Sequence, residues 1–278
     1  MLNIDIINPR LQSLPQESSM TLSACIWAVS GPEESVLSQI AELGFQTIDI
    51  RPNALQEEAS RSRVRDLNLT VTCIAASAGM PEGASLDSLD TNAVEQALTY
   101  TKQALDHGAS VGVSAAYVVP KKDTNDGAMS RYADALVQAA DHAQTLGIKL
   151  CIEHFPGTCL PTIDATLTYL SHIGHPNLYL LLDIGHAQMS NEDPAEAVRI
   201  ASSRLGYFHL DDNDGENDLH LSLLDGVLTE DVLSQTFAAL QDIAYDGPVS
   251  LELKEDLPDP LDALKTSRDI VLKVAPNV

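Results

Sequence analysis

The segment LeuTyrLeuLeuLeuAspIleGlyHis, residues 178–186, decides how the rest of the chain is interpreted. Its apolar part, residues 178–182, is short and continuous, which is typical of a strand that is buried on both faces. Asp183 follows at the end of this strand, where an unpaired buried carboxylate would be strongly unfavourable. The aspartate therefore needs a cation, a hydrogen-bond network or an open strand end.

Three further apolar segments carry a side chain that can bind a metal at or near their end. LysLeuCysIleGlu ends in Glu153, TyrPheHisLeu contains His209, and ValSerLeuGluLeuLys contains Glu252. The intervals between the four positions each suit one strand–helix unit. If the four strands are neighbours in a barrel, their carboxyl ends meet at one mouth, and these side chains converge there.

Strands and helices alternate from residue 21 onward, which is the signature of a parallel sheet with helical crossovers. Eight units predict a single (β/α)8 TIM barrel over residues 21–278, with residues 1–20 as an N-terminal extension. An open doubly wound sheet is the alternative, although no GxGxxG segment follows a strand. The predicted strands are 21–29, 47–50, 69–76, 114–120, 148–153, 178–183, 207–210 and 248–253. The predicted helices are 32–44, 56–67, 92–107 (closed by Gly108), 130–146, 163–173, 193–205, 229–243 and 259–274.

The chain is strongly acidic, with 40 acidic and 16 basic residues and a formal net charge of −24. Such a surface repels phosphate backbones and anionic membrane faces, so neither nucleic acid nor a membrane is an expected partner. No apolar run approaches the roughly 18 residues that cross a bilayer, and the N-terminus lacks a secretory pattern. Four cysteines without a CxxC pair suit a reducing compartment. The sequence therefore predicts a cytoplasmic protein.

The four converging side chains predict a metal site. Three carboxylates and one imidazole, from Glu153, Asp183, Glu252 and His209, would repel one another without a divalent cation. An oxygen-rich set with one histidine suits Mn²⁺, Mg²⁺ or Co²⁺, and Zn²⁺ is the less favoured alternative.

At this point the chain resembles a known family, the xylose isomerase-like barrels, which contains sugar and sugar-phosphate isomerases and epimerases. The resemblance rests on IleGluHisPheProGly, LeuAspIleGlyHis, HisLeuAspAspAsnAspGlyGluAsnAspLeuHis and SerLeuGluLeuLys, in this order. It implies that Glu153, Asp183, His209 and Glu252 bind one divalent metal. It also implies that Glu153 and Glu252 act as an acid/base pair and that His186 contacts substrate.

The resemblance suits enediolate chemistry on a small sugar, keto sugar or cyclic polyol. A metal would chelate a carbonyl and a neighbouring hydroxyl oxygen, while one glutamate removes a proton and the other returns it. Return on the opposite face is epimerisation, and return on the adjacent carbon is isomerisation. Loss of a β-hydroxyl would make a keto-polyol dehydratase. A DNA-repair endonuclease, which the acidic charge disfavours, and a catalytically silent binding module are the other hypotheses. The sequence leaves open the sugar, its phosphorylation and whether the chain forms a homo-oligomer.

Further residues around the predicted mouth receive supporting roles. Lys254 and His220 are candidates for substrate binding, while His154 and Asp212 are predicted to support the ligands and the loop from behind. The chain departs from the family at residues 223–226, which read LeuLeuAspGly where the resemblance implies a Gly-acid-Gly turn. The loop over the mouth is therefore expected to differ from that of relatives.

Overall fold

The computed structural model describes residues 20–121 and 125–278. Within these ranges eight parallel strands close into a barrel in sequence order, and the last strand pairs with the first. The strands are β1 (Thr21–Cys25), β2 (Thr47–Ile50), β3 (Thr70–Ala75), β4 (Ala115–Val118), β5 (Lys149–Glu153), β6 (Leu178–Asp183), β7 (Leu205–Leu210) and β8 (Pro248–Leu251). The predicted (β/α)8 barrel is confirmed.

Nine α-helices lie in the described part of the chain. They are α1 (Glu33–Glu42), α2 (Glu58–Asp66), α3 (Thr91–Val111), α4 (Asp126–Thr145), α5 (Ile163–Ile173), α6 (Ile184–Met189), α7 (Pro194–Ala201), α8 (Glu230–Asp242) and α9 (Pro260–Val274). One of them, α6, was not predicted, because six residues are too few to show helical periodicity. It begins directly after β6, where the Asp183 carboxylate accepts a hydrogen bond from the backbone N–H of His186.

The predicted end of α3 at Gly108 is wrong. The helix continues to Val111 and ends before Gly112, whose φ of 88° is the left-handed conformation that suits a helix C-terminus. A Cβ on Gly108 would lie 2.8 Å from the Val113 side chain and 3.0 Å from that of Ile74. This glycine therefore allows the helix to pack closely on β3 instead of ending it.

The interior of the barrel holds its own apolar layer. It consists of Cys73, Ala75, Ala115, Tyr117, Cys151, Leu181 and Tyr207, all buried. Successive side chains alternate between the faces of a strand, so residues two positions further along share the inward face. Glu153, Asp183 and His209 therefore follow this layer toward the carboxyl ends of β5, β6 and β7.

Two further predictions from the sequence concern an N-terminal extension and the lack of membrane-spanning segments. The predicted extension, residues 1–20, lies outside the described residues except for Met20, whose side chain is buried. Among the helices that the structure describes, none combines the length and the apolar character needed to cross a bilayer.

Candidate active site

Four side chains converge at the carboxyl-terminal mouth of the barrel. Glu153 and Asp183 end β5 and β6, His209 lies one residue before the end of β7, and Glu252 directly follows β8. Each offers one ligand atom, and these atoms lie within 4.8 Å of one another. Asp183 pairs with His209 in the β6–β7 register, which places their side chains next to each other. The structure thus brings the four predicted ligands together, and their role as ligands stays a prediction.

The cluster is buried, and its charges shift one another's pKa values. Burial raises the pKa of Glu153 to about 8. Burial also acts to raise the pKa of Glu252, but the adjacent His209 outweighs it and lowers this pKa to about 2. His209 Nδ1 lies 2.6 Å from Glu252 Oε2 and 4.0 Å from Asp183 Oδ2. Burial acts to lower the pKa of His209, but Glu252, Asp49 and Glu153 outweigh it and raise this pKa.

The donor set fits a divalent cation. Asp183 Oδ2 is buried and has no hydrogen-bond partner among the described residues. It lies 4.0 Å from His209 Nδ1, and burying an unpaired carboxylate oxygen of this kind is unfavourable. Three carboxylates and one imidazole at this spacing are the ligands that hard or borderline divalent metals prefer. Glu153, Asp183, His209 and Glu252 could therefore hold one such ion.

His186, on α6, extends the cluster toward the loop that follows β7. Its Nδ1 lies 3.0 Å from the carbonyl oxygen of His154 and 3.6 Å from Glu153 Oε1, and its Nε2 lies 3.4 Å from Asp218 Oδ1. Burial acts to lower the pKa of His186, but Asp183, Asp218 and Glu153 outweigh it and raise this pKa to about 10. His186 is thus fully buried between two acidic groups, and its contact with substrate stays a prediction.

His154 and Asp212 contact backbone groups near the cluster. The backbone N–H of Asp183 donates to His154 Nε2 at 3.2 Å, so this histidine holds the end of β6. Burial lowers the pKa of His154 to about 3, which keeps the ring neutral. The Asp212 carboxylate accepts hydrogen bonds from the backbone N–H groups of Asn213, Gly226 and Leu228, which ties together the two ends of the loop after β7.

His220 and Lys254 lie together at the rim of the mouth. His220 Nδ1 lies 3.0 Å from Asp211 Oδ2 and its Nε2 lies 3.1 Å from Asp218 Oδ1. These carboxylates raise the pKa of His220 despite its burial. The exposed Lys254 ammonium lies 3.9 Å from Asp256. Both residues line a cavity of about 210 Å³ that also contacts Glu252, the Trp27 ring and the Arg51 guanidinium.

Two buried aspartates near the cluster, Asp211 and Asp49, were not predicted from the sequence. Asp211 accepts a hydrogen bond from the backbone N–H of Gly185 at 3.0 Å, and burial and Asp183 raise its pKa to about 7. Its position two residues after His209 was a usable signal, because side chains two positions apart point to the same side of an extended chain and Asp211 directly follows β7. Asp49 lies in β2, where an acidic residue within ThrIleAspIle was the only sign.

Comparisons with known proteins agree with this fold. Residues 37–273 match the family described as xylose isomerase-like TIM barrel. An L-ribulose 3-epimerase of Methylomonas sp. (strain DH-1) is 26% identical over 248 residues, which cover 84% of this chain and 82% of that protein. A D-psicose 3-epimerase of Agrobacterium fabrum is 24% identical over 236 residues, covering 78% of this chain and 77% of that protein.

A solved structure extends the comparison to three dimensions. The structure of a D-allulose 3-epimerase from Methylomonas sp. in complex with D-allulose has a TM-score of 0.79 and 20% identity to this chain. The match covers 92% of this chain and 97% of that one. At this identity the likeness shows a shared fold alone.

Proposed function

The chain belongs to the xylose isomerase-like TIM barrel family, and from this premise we propose that it is a divalent-metal-dependent epimerase of a ketose. The observation that carries the proposal is the buried cluster of Glu153, Asp183, His209 and Glu252 at the mouth of the barrel. Relatives that align with more than three-quarters of the chain are named as 3-epimerases of L-ribulose and D-psicose. A small ketose is therefore the substrate class that we infer.

The four clustered residues would hold one divalent cation in this proposal. Mn²⁺, Mg²⁺ or Co²⁺ suits a set of three carboxylates and one imidazole. When bound, the cation would supply Lewis-acid polarisation of the ketose carbonyl, which acidifies the neighbouring C–H. Asp183 and His209 would take no part in proton transfer in this scheme, so their role would be to bind the cation.

Glu153 and Glu252 would exchange the proton. They approach the site from β5 and from the end of β8, and each carboxylate has two oxygens, so that one can remain free to accept or donate a proton. One glutamate removes the proton from the carbon beside the carbonyl, and the other delivers a proton to the opposite face. The outcome is inversion at that carbon, and the two roles reverse with the direction of reaction.

The cavity beside Glu252 supports the placement of the substrate. Its lining includes His220 and Lys254, and the exposed Lys254 ammonium is a donor of the kind that sugar hydroxyls accept. His186 lies 3.6 Å from Glu153 Oε1 on the other side of the cluster. We assign substrate hydroxyls to these three side chains. His154 and Asp212 would keep the strand end and the loop in place.

The test is proton exchange with solvent. The protein is stripped of metal, reloaded with Mn²⁺ and incubated with a panel of ketoses in D2O. We expect a new epimer with deuterium at the inverted carbon. Glu153→Gln and Glu252→Gln should each lower kcat by about 10²- to 10⁴-fold, because each removes one proton-transfer group. Glu216→Gln is the matched control, since Glu216 is exposed on the loop after β7.

Other outcomes would contradict the proposal in recognisable ways. Release of a dehydrated ketone from a keto-polyol, with no epimer from any ketose, would indicate a dehydratase. A folded protein that takes up no Mn²⁺ and turns over no ketose would indicate a binding module.

A further inference from the structure

Asp49 is a buried carboxylate inside the barrel, on a strand that carries none of the four clustered residues. It lies on β2, is 0% exposed, and its oxygens have different neighbours. Oδ1 accepts hydrogen bonds from the hydroxyls of Tyr207 at 2.6 Å and Thr72 at 2.7 Å, and Ser23 contributes a third at 3.3 Å. One oxygen of Asp49 is thus held by three hydroxyl groups.

The other oxygen of Asp49 faces His209. Oδ2 lies 3.8 Å from His209 Nε2, and its hydrogen-bond donor is the thiol of Cys25, also at 3.8 Å. Lys and Arg side chains form no ion pair with Asp49 within the described residues. The imidazole of His209 is therefore the group to which this carboxylate is electrostatically coupled.

His209 divides its two nitrogens between Asp49 and the cluster. Nδ1 lies 2.6 Å from Glu252 Oε2, while Nε2 points to the barrel interior. The rings of Tyr117 and Tyr207 meet the imidazole edge-on, with centroids 5.2 Å and 5.6 Å away, and limit its rotation. Nδ1 is thus the atom available to the candidate metal site.

We propose that Asp49 is a positioning residue that keeps the proton of His209 on Nε2, so that the Nδ1 lone pair faces the cluster. The inference rests on the proposed function, since it concerns the histidine of the same metal site. A distance of 3.8 Å is longer than a hydrogen bond. At an ion-pair distance inside a protein, however, a carboxylate still favours the tautomer that places N–H toward it. Carboxylates behind a metal-binding histidine commonly fix its tautomer in this way.

Asp49→Asn separates this role from a purely structural one. The amide oxygen can still accept from Tyr207 and Thr72, so the hydroxyl network is kept. The amide NH₂ would then face Nε2 and favour the tautomer with its proton on Nδ1, which blocks the ligand atom. Ser23→Ala is the matched control, because it removes a hydroxyl contact to Oδ1 and leaves Oδ2 facing His209.

The experiment has two readouts, neither of which is activity. Calorimetric titration with Mn²⁺ should show that Asp49→Asn weakens binding about 10- to 100-fold, whereas Ser23→Ala binds as the wild type does. The second readout is ¹⁵N NMR of histidine-labelled, Mg²⁺-loaded wild type, with the His209 signals assigned by their loss in His209→Gln. We expect a proton on Nε2 and none on Nδ1.

The failures of the two proposals are distinguishable. A His209 ring with its proton on Nδ1 in the loaded wild type overturns the role of Asp49, and this result needs no Asp49 variant to fold. Unchanged Mn²⁺ affinity in a folded Asp49→Asn protein also overturns it, and leaves the proposed epimerase standing. A wild-type protein that binds no Mn²⁺ overturns the proposed function and the role of Asp49 with it.

Discussion

Glu153 and Glu252 lie in the same buried cluster, yet their neighbours shift their pKa values in opposite directions. Burial raises the pKa of Glu153 to about 8, whereas the contact with His209 overcomes burial and lowers that of Glu252 to about 2. His209 holds a proton because its pKa is raised by the same contact. Protons on Glu153 and His209 therefore balance part of the negative charge that a divalent cation would otherwise balance.

This balance predicts proton release on metal binding. Glu153 and His209 are both protonated at neutral pH and must lose their protons to act as ligands, so we expect about two protons per bound ion. Calorimetric titration with Mn²⁺ in two buffers of different ionisation enthalpy measures the number. The Glu153→Gln protein has no proton to lose at this position, so it should release about one proton fewer per bound Mn²⁺. Identical apparent enthalpies in both buffers would contradict the prediction.

At the level of elements, the short helix α6 (Ile184–Met189) connects the end of β6 to the loop that follows β7. The Asp183 carboxylate caps it, and the N–H of Gly185 donates to Asp211 Oδ1. A Cβ on Gly185 would lie 2.3 Å from Asp211 Oδ1 and 2.8 Å from Asn213 Nδ2. The loop and the helix can approach this closely only because residue 185 has no side chain.

Gly185→Ala should therefore push the loop away from α6. We expect a loss of about 1–3 kcal/mol in the free energy of unfolding, as for other overpacked sites, measured by urea denaturation. Gly127→Ala is the matched control, since Gly127 also lies in a helix and its Cβ would meet only the flexible Arg131 side chain and Asn125 Oδ1. The control should change stability by less than about 1 kcal/mol. Equal effects of the two substitutions would show that the approach at Gly185 is not tight.

The sequence predicted the strands and the convergence of their ends well. Buried parallel strands appear in the sequence as apolar runs, and the strands of a (β/α)8 barrel are arranged around it in the order in which they follow one another along the chain. The convergence of Glu153, Asp183, His209 and Glu252 was predicted in this way, and their role as ligands stays a prediction. Contacts across the barrel could not be found, since nothing in the local pattern of β2 relates Asp49 to a histidine on β7.

The loop after β7 was predicted only partly. Leu224 stands where the resemblance implies the first glycine of the turn, and its φ of 70° lies in the left-handed region that glycine favours. The left-handed conformation is unfavourable for a leucine by roughly 1–2 kcal/mol of conformational free energy. The turn therefore keeps its left-handed backbone at this position without the glycine, which neither periodicity nor spacing could reveal.

For the molecule as a whole, the formal charge of −24 and the closed barrel both affect the protonation of the groups buried at the mouth. The barrel buries acidic groups at its mouth, and the rest of the chain supplies few basic residues to balance them. The folded metal-free protein instead retains protons on buried groups. Besides Glu153, burial raises the pKa of Asp211 to about 7, and neighbouring acids overcome burial to raise that of His186 to about 10.

The sign of the resulting pH dependence follows from these directions. A group whose pKa is higher in the folded state binds more protons there than in the unfolded chain, so stability falls as pH rises between the two values. For Glu153 the window runs from its ordinary pKa of 4.5 to about 8, and for His186 from 6.5 to about 10. The pKa of His154 is lowered to about 3, so this residue makes stability rise with pH, and it does so only below about pH 6.5.

The metal-free protein should accordingly lose stability between about pH 6.5 and 9.5, by about 1.4 kcal/mol per pH unit for each excess proton held by the folded state. Urea denaturation across this range measures the slope, and Glu153→Gln should make it shallower below about pH 8. Saturating Mn²⁺ should flatten it, because the bound ion replaces the protons. Were the metal-free slope zero or positive, the cluster would be neutralised by some means other than protons, and the proton release expected on metal binding would be absent as well.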